Sequence, residues 1–222
     1  MDTFIQTFFN FDIMAQAFPL LLKGAVMTLK LCAVVIVFGL AGGLMLALAA
    51  LSTNKALRWS AIAYIDLFRA LPPLVLLVFV YSGLPFAGVR LTPFMAVVIA
   101  FFLNNSSYFA EVFRAGINAV PKGQTEAARA TGLSQAQTLT YVVLPQAVRN
   151  VLPDLLSNTV EVVKLTSLAS VVSLSELLYS ANMARSVTYN ASPLVLAAGM
   201  YLLVLWPLVR VIARYQRGLA VN

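Results

Sequence analysis

QTEAARATGLSQAQTLTYVVLP, residues 124–145, is the longest polar stretch in a chain that otherwise consists largely of apolar runs. Residues 126–130 are strong helix formers, and the glycine shortly after them can supply the left-handed backbone that ends a helix. Ser134 and Gln137 have the spacing of a capping box, which predicts that a second helix begins there and ends or kinks by Pro145. The stretch therefore predicts a compact projection of two short helices. Its alanines leave the backbone accessible to another protein.

Three features of this stretch, Glu126-Ala127-Ala128, then Gly132, then Leu144-Pro145, resemble the EAA loop of permease subunits in bacterial ABC importers. The longer string PKGQTEAARATGLSQAQTLTYVVLPQAVRNVLPDLL is similar to the polar amino acid (histidine/glutamine-type) branch of that family. In the family this loop docks on the ATPase. The resemblance thus implies ATPase-coupling residues: Glu126, Ala127, Ala128, Arg129, Gly132, Leu144 and Pro145. The alternative is an ordinary amphipathic loop between membrane helices.

The composition assigns the chain to the membrane. Of 222 residues, 61% are hydrophobic and only 10% are charged, which is more apolar surface than a soluble domain of this length can bury. The absence of histidine and the single cysteine, Cys32, exclude zinc sites and Ser/His or Cys/His catalysis, so we expect no catalytic and no metal-binding residues. The net charge is +7, and the basic residues lie at the ends of apolar runs. This distribution indicates membrane topology rather than nucleic-acid binding.

The apolar runs predict an all-α integral membrane protein forming one permease domain over residues 1–222. The first span includes 21 residues without a charge, Leu31 to Leu51, which can cross a hydrocarbon core of about 30 Å. Gly39, Gly42 and Gly43 form a flat face for close helix packing in this span. Residues 1–19 are expected to form a short interfacial helix or tail. The predicted spans are about 20–51, 59–81, 92–113, 151–172 and 193–213, with a cytoplasmic coupling loop at 114–149.

The second span carries a charged pair followed by two prolines. Asp66 and Arg69 are one helical turn apart and can neutralise each other. Pro72-Pro73 removes two backbone donors, so this helix is expected to kink or break. The string Arg69-Ala70-Leu71-Pro72 is similar to the family's Arg-Gly-Thr-Pro. We interpret Asp66, Arg69 and Pro72 as structural residues near the membrane interface, the alternative being a ligand contact.

Polar residues in the third and fourth spans are candidates for the translocation path. Asn104, Tyr108 and Glu111 share one helical face, which should point to a protein interior or to water because lipid would penalise it. The alternative is that they bond between helices without contacting substrate. Glu161 and Lys164 have the spacing of an ion pair, and Lys164 to Leu168 resembles the family's Lys-x-Thr-Ser-Leu stretch, which is associated there with translocation. The candidate path residues are Asn104, Tyr108, Glu111, Glu161, Lys164, Thr166 and Ser167.

A zwitterionic amino acid needs an anionic and a cationic neighbour. Glu111 or Glu161 could meet its ammonium group and Lys164 its carboxylate. The sequence leaves open whether these three residues touch substrate or only pair with each other. The sequence does not distinguish basic, acidic and neutral amino acids as substrates.

The distribution of Lys and Arg predicts the orientation. With the amino terminus outside and the carboxyl terminus in the cytoplasm, nine basic residues fall on the cytoplasmic side and three outside. The cytoplasmic residues are Lys55, Arg58, Arg114, Lys122, Arg129, Arg149, Arg210, Arg214 and Arg217, and the outer ones are Lys23, Arg90 and Arg185. This orientation places the coupling loop where an ATPase would be.

The chain has no phosphate-binding loop, so it is not expected to hydrolyse ATP or to carry a cofactor. The resemblance implies a type I ABC importer fold in a bacterial inner membrane and MgATP bound on a separate ATPase subunit dimer. It also implies alternating access, a second permease chain, identical or homologous, and an external solute-binding protein. Amino acid and membrane lipid are the other expected partners, and nucleic acid is not one. The competing function is a self-sufficient secondary transporter or channel for small solutes, although no inverted repeat is detectable.

Overall fold

The computed structural model describes residues 2–219, and the side chain of Arg217 lies outside the part that it describes. The chain is helical almost throughout. The α-helices are α1 (Asp2–Phe8), α2 (Phe11–Ala50), α3 (Lys55–Ala70), α4 (Pro73–Val78), α5 (Pro93–Ala119), α6 (Lys122–Ala130), α7 (Gln135–Thr138), α8 (Leu144–Leu165), α9 (Leu177–Thr188) and α10 (Ser192–Leu219). Phe79–Gly83 and Leu139–Val143 are π-helical turns, and Leu84–Ala87 and Thr166–Val172 are 3-10 segments.

Within the described residues, four helical stretches are long and apolar enough to cross a membrane, and a broken pair makes up to five. The four are Thr3–Ala50, Pro93–Ala119, Gln135–Val172 and Ser192–Arg214, and the pair is Lys55–Ala70 with Pro73–Ala87. The predicted all-α integral membrane class is confirmed. The prediction for residues 1–19 is wrong in part, because α2 begins at Phe11 and continues through Pro19. Proline is tolerated in such helices when neighbouring groups satisfy the freed backbone.

The predicted break in the second span is confirmed. Helix α3 ends at Ala70, and both Leu71 and Pro72 adopt extended backbone with ψ of 128° and 132° before α4 begins. The cause is local, since Pro72 and Pro73 cannot donate to the carbonyls of Phe68 and Arg69.

The predicted capping box is also confirmed. The Ser134 hydroxyl accepts from the amide of Gln137, and the Gln137 side chain accepts from the amide of Ser134. The expected end or kink by Pro145 is confirmed, because the α-helix that begins at the capping box ends at Thr138 and α8 begins at Leu144. Between these two helices the chain forms a π turn over Leu139–Val143, which ends two residues before the proline. A π turn is one way for a helix to accommodate an interruption of its hydrogen-bond ladder.

The chain divides into two compact units. The first unit comprises residues 2–36, 72–101 and 160–219, and one of its cores packs α2 against α9 and α10 through Leu21, Ala181 and Ala197. The second unit comprises residues 37–71 and 102–159, and one of its cores joins α2, α5 and α8 through Ala47, Phe109 and Val151.

The glycine face of α2 has the packing role that its sequence predicts. A Cβ atom on Gly43 would lie 2.5 Å from the Cβ of Phe109 and 3.0 Å from the amide nitrogen of Ala110. One on Gly42 would lie 2.7 Å from the Phe102 ring, and one on Gly39 would lie 3.3 Å from the Phe109 ring. The missing side chains therefore allow α2 and α5 to approach closely in the second unit.

Candidate coupling and translocation sites

Helix α6 carries the Glu-Ala-Ala sequence, of which one residue is buried in the protein and two are exposed at its surface. Ala128 is buried, whereas Glu126 and Ala127 are exposed. Gly132 has a φ of +90°, the left-handed conformation that the sequence indicated, and its amide donates to the carbonyl of Arg129 over 3.0 Å. The helix is thus held on its alanine face and offers an acidic residue beside small ones on its outer face.

Side chains around the turn stabilise this projection. Arg129 is exposed, and its guanidinium donates to the carbonyl of Leu133 over 2.6 Å. The Thr131 hydroxyl donates to the carbonyl of Ala128 over 2.8 Å. Arg129, predicted as a coupling contact, therefore also closes the turn from within the loop.

The second half of the loop lies on a small apolar core. Val120, Val143 and Ala147 are buried together beneath it. Leu144 is half-buried and Pro145 is exposed, at the start of α8. The coupling residues predicted on α6 and α8 belong to the same unit, and this core supports α8 and the π turn before it.

The side chains of Asn104 and Tyr108 donate to the two backbone carbonyls that Pro72 and Pro73 leave without an amide donor. The Asn104 amide donates to the carbonyl of Phe68 over 3.0 Å, and the Tyr108 hydroxyl donates to the carbonyl of Arg69 over 3.5 Å. In an uninterrupted helix the amides at positions 72 and 73 would serve these carbonyls. Asn104 is buried and Tyr108 is exposed. This geometry favours, for Asn104, the alternative of bonding between helices without substrate.

Glu111 is paired with two arginines of its own unit. Arg114 donates to both carboxylate oxygens, with a distance of 3.1 Å from its Nε, and an Arg69 nitrogen lies 3.7 Å from the carboxylate. Arg69 also lies over the Tyr108 ring at 5.5 Å. The expected neutralisation of Asp66 by Arg69 is wrong, because among the described ion pairs Arg69 joins Glu111. Asp66 instead contributes a favourable charge interaction to Arg114.

The path candidates after residue 159 lie in the first unit. Lys164 and Glu161 form the expected ion pair, 2.6 Å apart, and both side chains are more than half exposed. Thr166 is fully buried and its hydroxyl donates to the carbonyl of Val163, while the Ser167 hydroxyl donates to the carbonyl of Lys164. The hydroxyls of this stretch are thus bonded within the turn, and the Glu161–Lys164 pair is its accessible charged group.

The sequence reading missed a buried carboxylate beside this stretch. Glu176 is fully buried, and it accepts from the amides of Leu178 and Tyr179 and from the Tyr201 hydroxyl at 3.0 Å. Thr28 and Thr166 lie beside the same tyrosine hydroxyl. Burial raises the pKa of Glu176 above its usual range, and the three hydrogen bonds oppose this shift in part. An acidic residue directly before an apolar helix start was the available signal, since it is a helix N-cap pattern.

Residues 39–219 match a family described as the binding-protein-dependent transport system inner membrane component. A protein of Rickettsia conorii named as a glutamine transport system permease is 36% identical over 196 residues, which cover 86% of this chain and 90% of the relative. The chain belongs to this family of ABC transporter permeases. The arginine transport system permease protein of Bacillus subtilis is 35% identical to this permease over 194 residues, covering 86% and 89% of the two chains.

Solved structures agree with the assignment. The crystal structure of an amino acid ABC transporter with histidines superimposes on this permease with a TM-score of 0.84 and 36% identity, covering 92% of this chain and 96% of the other. An inward-facing methionine ABC transporter gives a TM-score of 0.76 at 20% identity, covering 90% and 95%, and supports the fold alone. The permease has the type I ABC importer transmembrane fold.

Proposed function

We propose that the chain is the membrane subunit of an ATP-driven importer for polar amino acids and that it couples to a separate ATPase through α6. The observation that carries this proposal is the exposed Glu126-Ala127 surface, held in place by buried Ala128 and the left-handed Gly132. The names of relatives that specify glutamine and arginine support the substrate class.

The proposed orientation follows the basic residues. An amino terminus outside and a carboxyl terminus inside puts nine Lys and Arg residues on the cytoplasmic side against three outside. The coupling loop, residues 114–149, then lies in the cytoplasm of a bacterium, and an external solute-binding protein would deliver substrate from the other side of the inner membrane. A second permease chain, identical or homologous, would complete the path.

The proposed mechanism is alternating access. MgATP bound on the partner subunits supplies the free energy, and closure of that ATPase dimer moves α6. Because α6 packs against the π turn at Leu139–Val143, and this turn shares an apolar core with α8 through Val143 and Ala147, displacement of α6 is transmitted to α8 within the second unit. The Glu161–Lys164 pair offers both charges that a zwitterionic amino acid requires.

Co-purification tests the coupling. We expect an ATPase to purify with the tagged chain from its native membrane, and Glu126→Lys to weaken this association by about tenfold or more, equivalent to about 1.4 kcal/mol. Asp12→Lys is the matched control, since it reverses an exposed carboxylate outside the loop and should leave association unchanged. ATPase activity of the purified complex, with and without substrate, measures whether coupling is also lost.

Two results would contradict the proposal. One is a Glu126→Lys variant that binds and stimulates the ATPase as the unmodified chain does. The other is a chain that purifies alone and moves solute in liposomes without ATP, which would favour the secondary transporter or channel.

A further inference from the structure

A large cavity that is open to the surface lies in the second unit, behind the proposed coupling helix. Its volume is about 950 Å³. The walls are the end of α2, the start of α3, the end of α5, and α6 with α7 and the π turn after it. The lining residues are Met45, Leu48, Ala49, Leu51, Ser52, Thr53, Leu57, Ile117, Asn118, Val120, Lys122, Thr125, Arg129, Gln135, Ala136, Thr138, Leu139 and Val143.

The charged lining is entirely cationic. Lys122 and Arg129 line the cavity from α6, and none of its described lining residues is acidic. One N–H group of the Arg129 guanidinium donates to the carbonyl of Leu133. Its other N–H groups remain able to donate to a ligand. The cavity thus combines two cations with an apolar wall.

The apolar wall continues to the surface of membrane helices. Met45 of α2 is 71% exposed and Leu57 of α3 is 49% exposed. Met45 lies in the last two turns of the most apolar predicted span, so this edge of the cavity is at the boundary between hydrocarbon and water. A molecule that enters from the bilayer meets the apolar wall first and the cations of α6 beyond it.

We propose that this cavity binds an anionic phospholipid. Its phosphate lies at Lys122 and Arg129, and part of one acyl chain lies against Met45, Leu48 and Leu139. The occupant follows from charge complementarity, because a cationic and apolar site at a membrane boundary fits an anionic headgroup better than a zwitterionic one. The inference rests on the proposed orientation, which faces the cavity to the cytoplasmic leaflet. A lipid in this place would fill the space behind α6 and limit its movement.

Native mass spectrometry of the purified full chain in detergent tests the proposal, with phosphatidylglycerol and phosphatidylcholine as probes. We expect phosphatidylglycerol to bind more tightly. Lys122→Gln should weaken its binding about fivefold, because one cation near an anionic headgroup contributes about this factor. Lys55→Gln is the matched control: it removes an exposed lysine at the start of α3 that does not line the cavity, and binding should be retained.

A second variant tests the cavity itself. Leu48→Trp keeps both cations and fills the apolar end, so it should reduce phosphatidylglycerol binding even though the charge is unchanged. Inorganic phosphate at millimolar concentration should not displace the lipid. Equal affinity for the two lipids, equal effects of Lys122→Gln and Lys55→Gln, or displacement by inorganic phosphate would each overturn the proposal. Because the assay contains no ATPase, its result is independent of whether α6 couples to one.

Discussion

Glu111 in the second unit and Glu176 in the first unit show two different ways of keeping a carboxylate in a membrane protein. Glu111 is paired with Arg69 and Arg114 and keeps 30% of its side chain exposed. Glu176 is fully buried, and its described partners are neutral: two backbone amides and the Tyr201 hydroxyl. One carboxylate is stabilised by opposite charge and the other by hydrogen-bond donors.

In each unit a glycine of α2 packs closely against the backbone at or near the carboxylate residue. In the second unit, Gly43 contacts α5 at Phe109 and Ala110, directly before Glu111. In the first unit, a Cβ on Gly24 would lie 2.8 Å from the carbonyl oxygen of Glu176 itself. The comparison suggests that close packing of α2 fixes both sites. The positions of the two carboxylates should therefore depend on glycines that carry no charge.

The largest effect is expected from Gly43→Leu. The new side chain would meet the Phe109 Cβ and the Ala110 amide nitrogen, neither of which can move away as a flexible side-chain end could. We expect about 3 kcal/mol less free energy of unfolding, at the upper end for overpacking, because α2 and α5 must separate. Unfolding of the purified chain in detergent, followed by circular dichroism, measures the loss.

Gly199→Leu is the control for this prediction. Gly199 lies inside α10, and a Cβ there has no atom within 4 Å, so the same residue change is accommodated. If both variants lose equal stability, the loss comes from a general property of the substitution and the packing argument fails.

A smaller effect is expected from neutralising the two carboxylates, and it should differ between the units. Glu111→Gln removes the carboxylate that Arg69 and Arg114 share, although Asp66 stays near Arg114, so we expect a loss of about 2 kcal/mol, in the range for hydrogen bonds to charged groups. Glu176→Gln keeps one of the two acceptor oxygens, so it loses about one neutral hydrogen bond and should cost about 1 kcal/mol. The same unfolding assay compares them. A larger loss for Glu176→Gln would reverse the interpretation of the two sites.

Local patterns in the sequence predicted much of this structure. The capping box at Ser134, the break at Pro72 and the Glu161–Lys164 pair each depend on residues within four positions of each other, so spacing alone sets their geometry. The glycine face of α2 was predictable for the same reason, although its partner, α5, was not.

Long-range partners could not be predicted in the same way. The sequence paired Arg69 with Asp66, one turn away, whereas its carboxylate partner is Glu111, 42 positions later in the chain. The role of Asn104 depends on a carbonyl that becomes unsatisfied only because Pro72 follows it, which requires knowing that α3 and α5 are neighbours. Glu176 was missed because nothing in its local sequence shows that the hydroxyl of Tyr201 folds back on it.

The smallest expected effect is a pH dependence of stability that belongs to Glu176. Burial raises the pKa of this carboxyl above its ordinary value of 4.5 in the folded chain. The folded state therefore keeps the proton to a higher pH than the unfolded state does. It follows that the contribution of Glu176 to the free energy of unfolding is largest below about pH 4.5 and falls as the pH rises through the raised value. Unfolding measured at a series of pH values above 4.5 should show this fall.

Glu176→Gln isolates this effect, because it removes the titrating group and should flatten that part of the profile. Glu126→Gln is the control: Glu126 is exposed on α6, so its loss should leave the fall in place. If the profile of Glu176→Gln falls as steeply as that of the unmodified chain, then Glu176 is not the group that titrates. The contrast with Glu111 would then rest on the cost of the two neutral substitutions alone. A flattened profile would instead show that ionisation of Glu176 lowers the free energy of unfolding, even though the buried carboxylate accepts three hydrogen bonds from neutral partners.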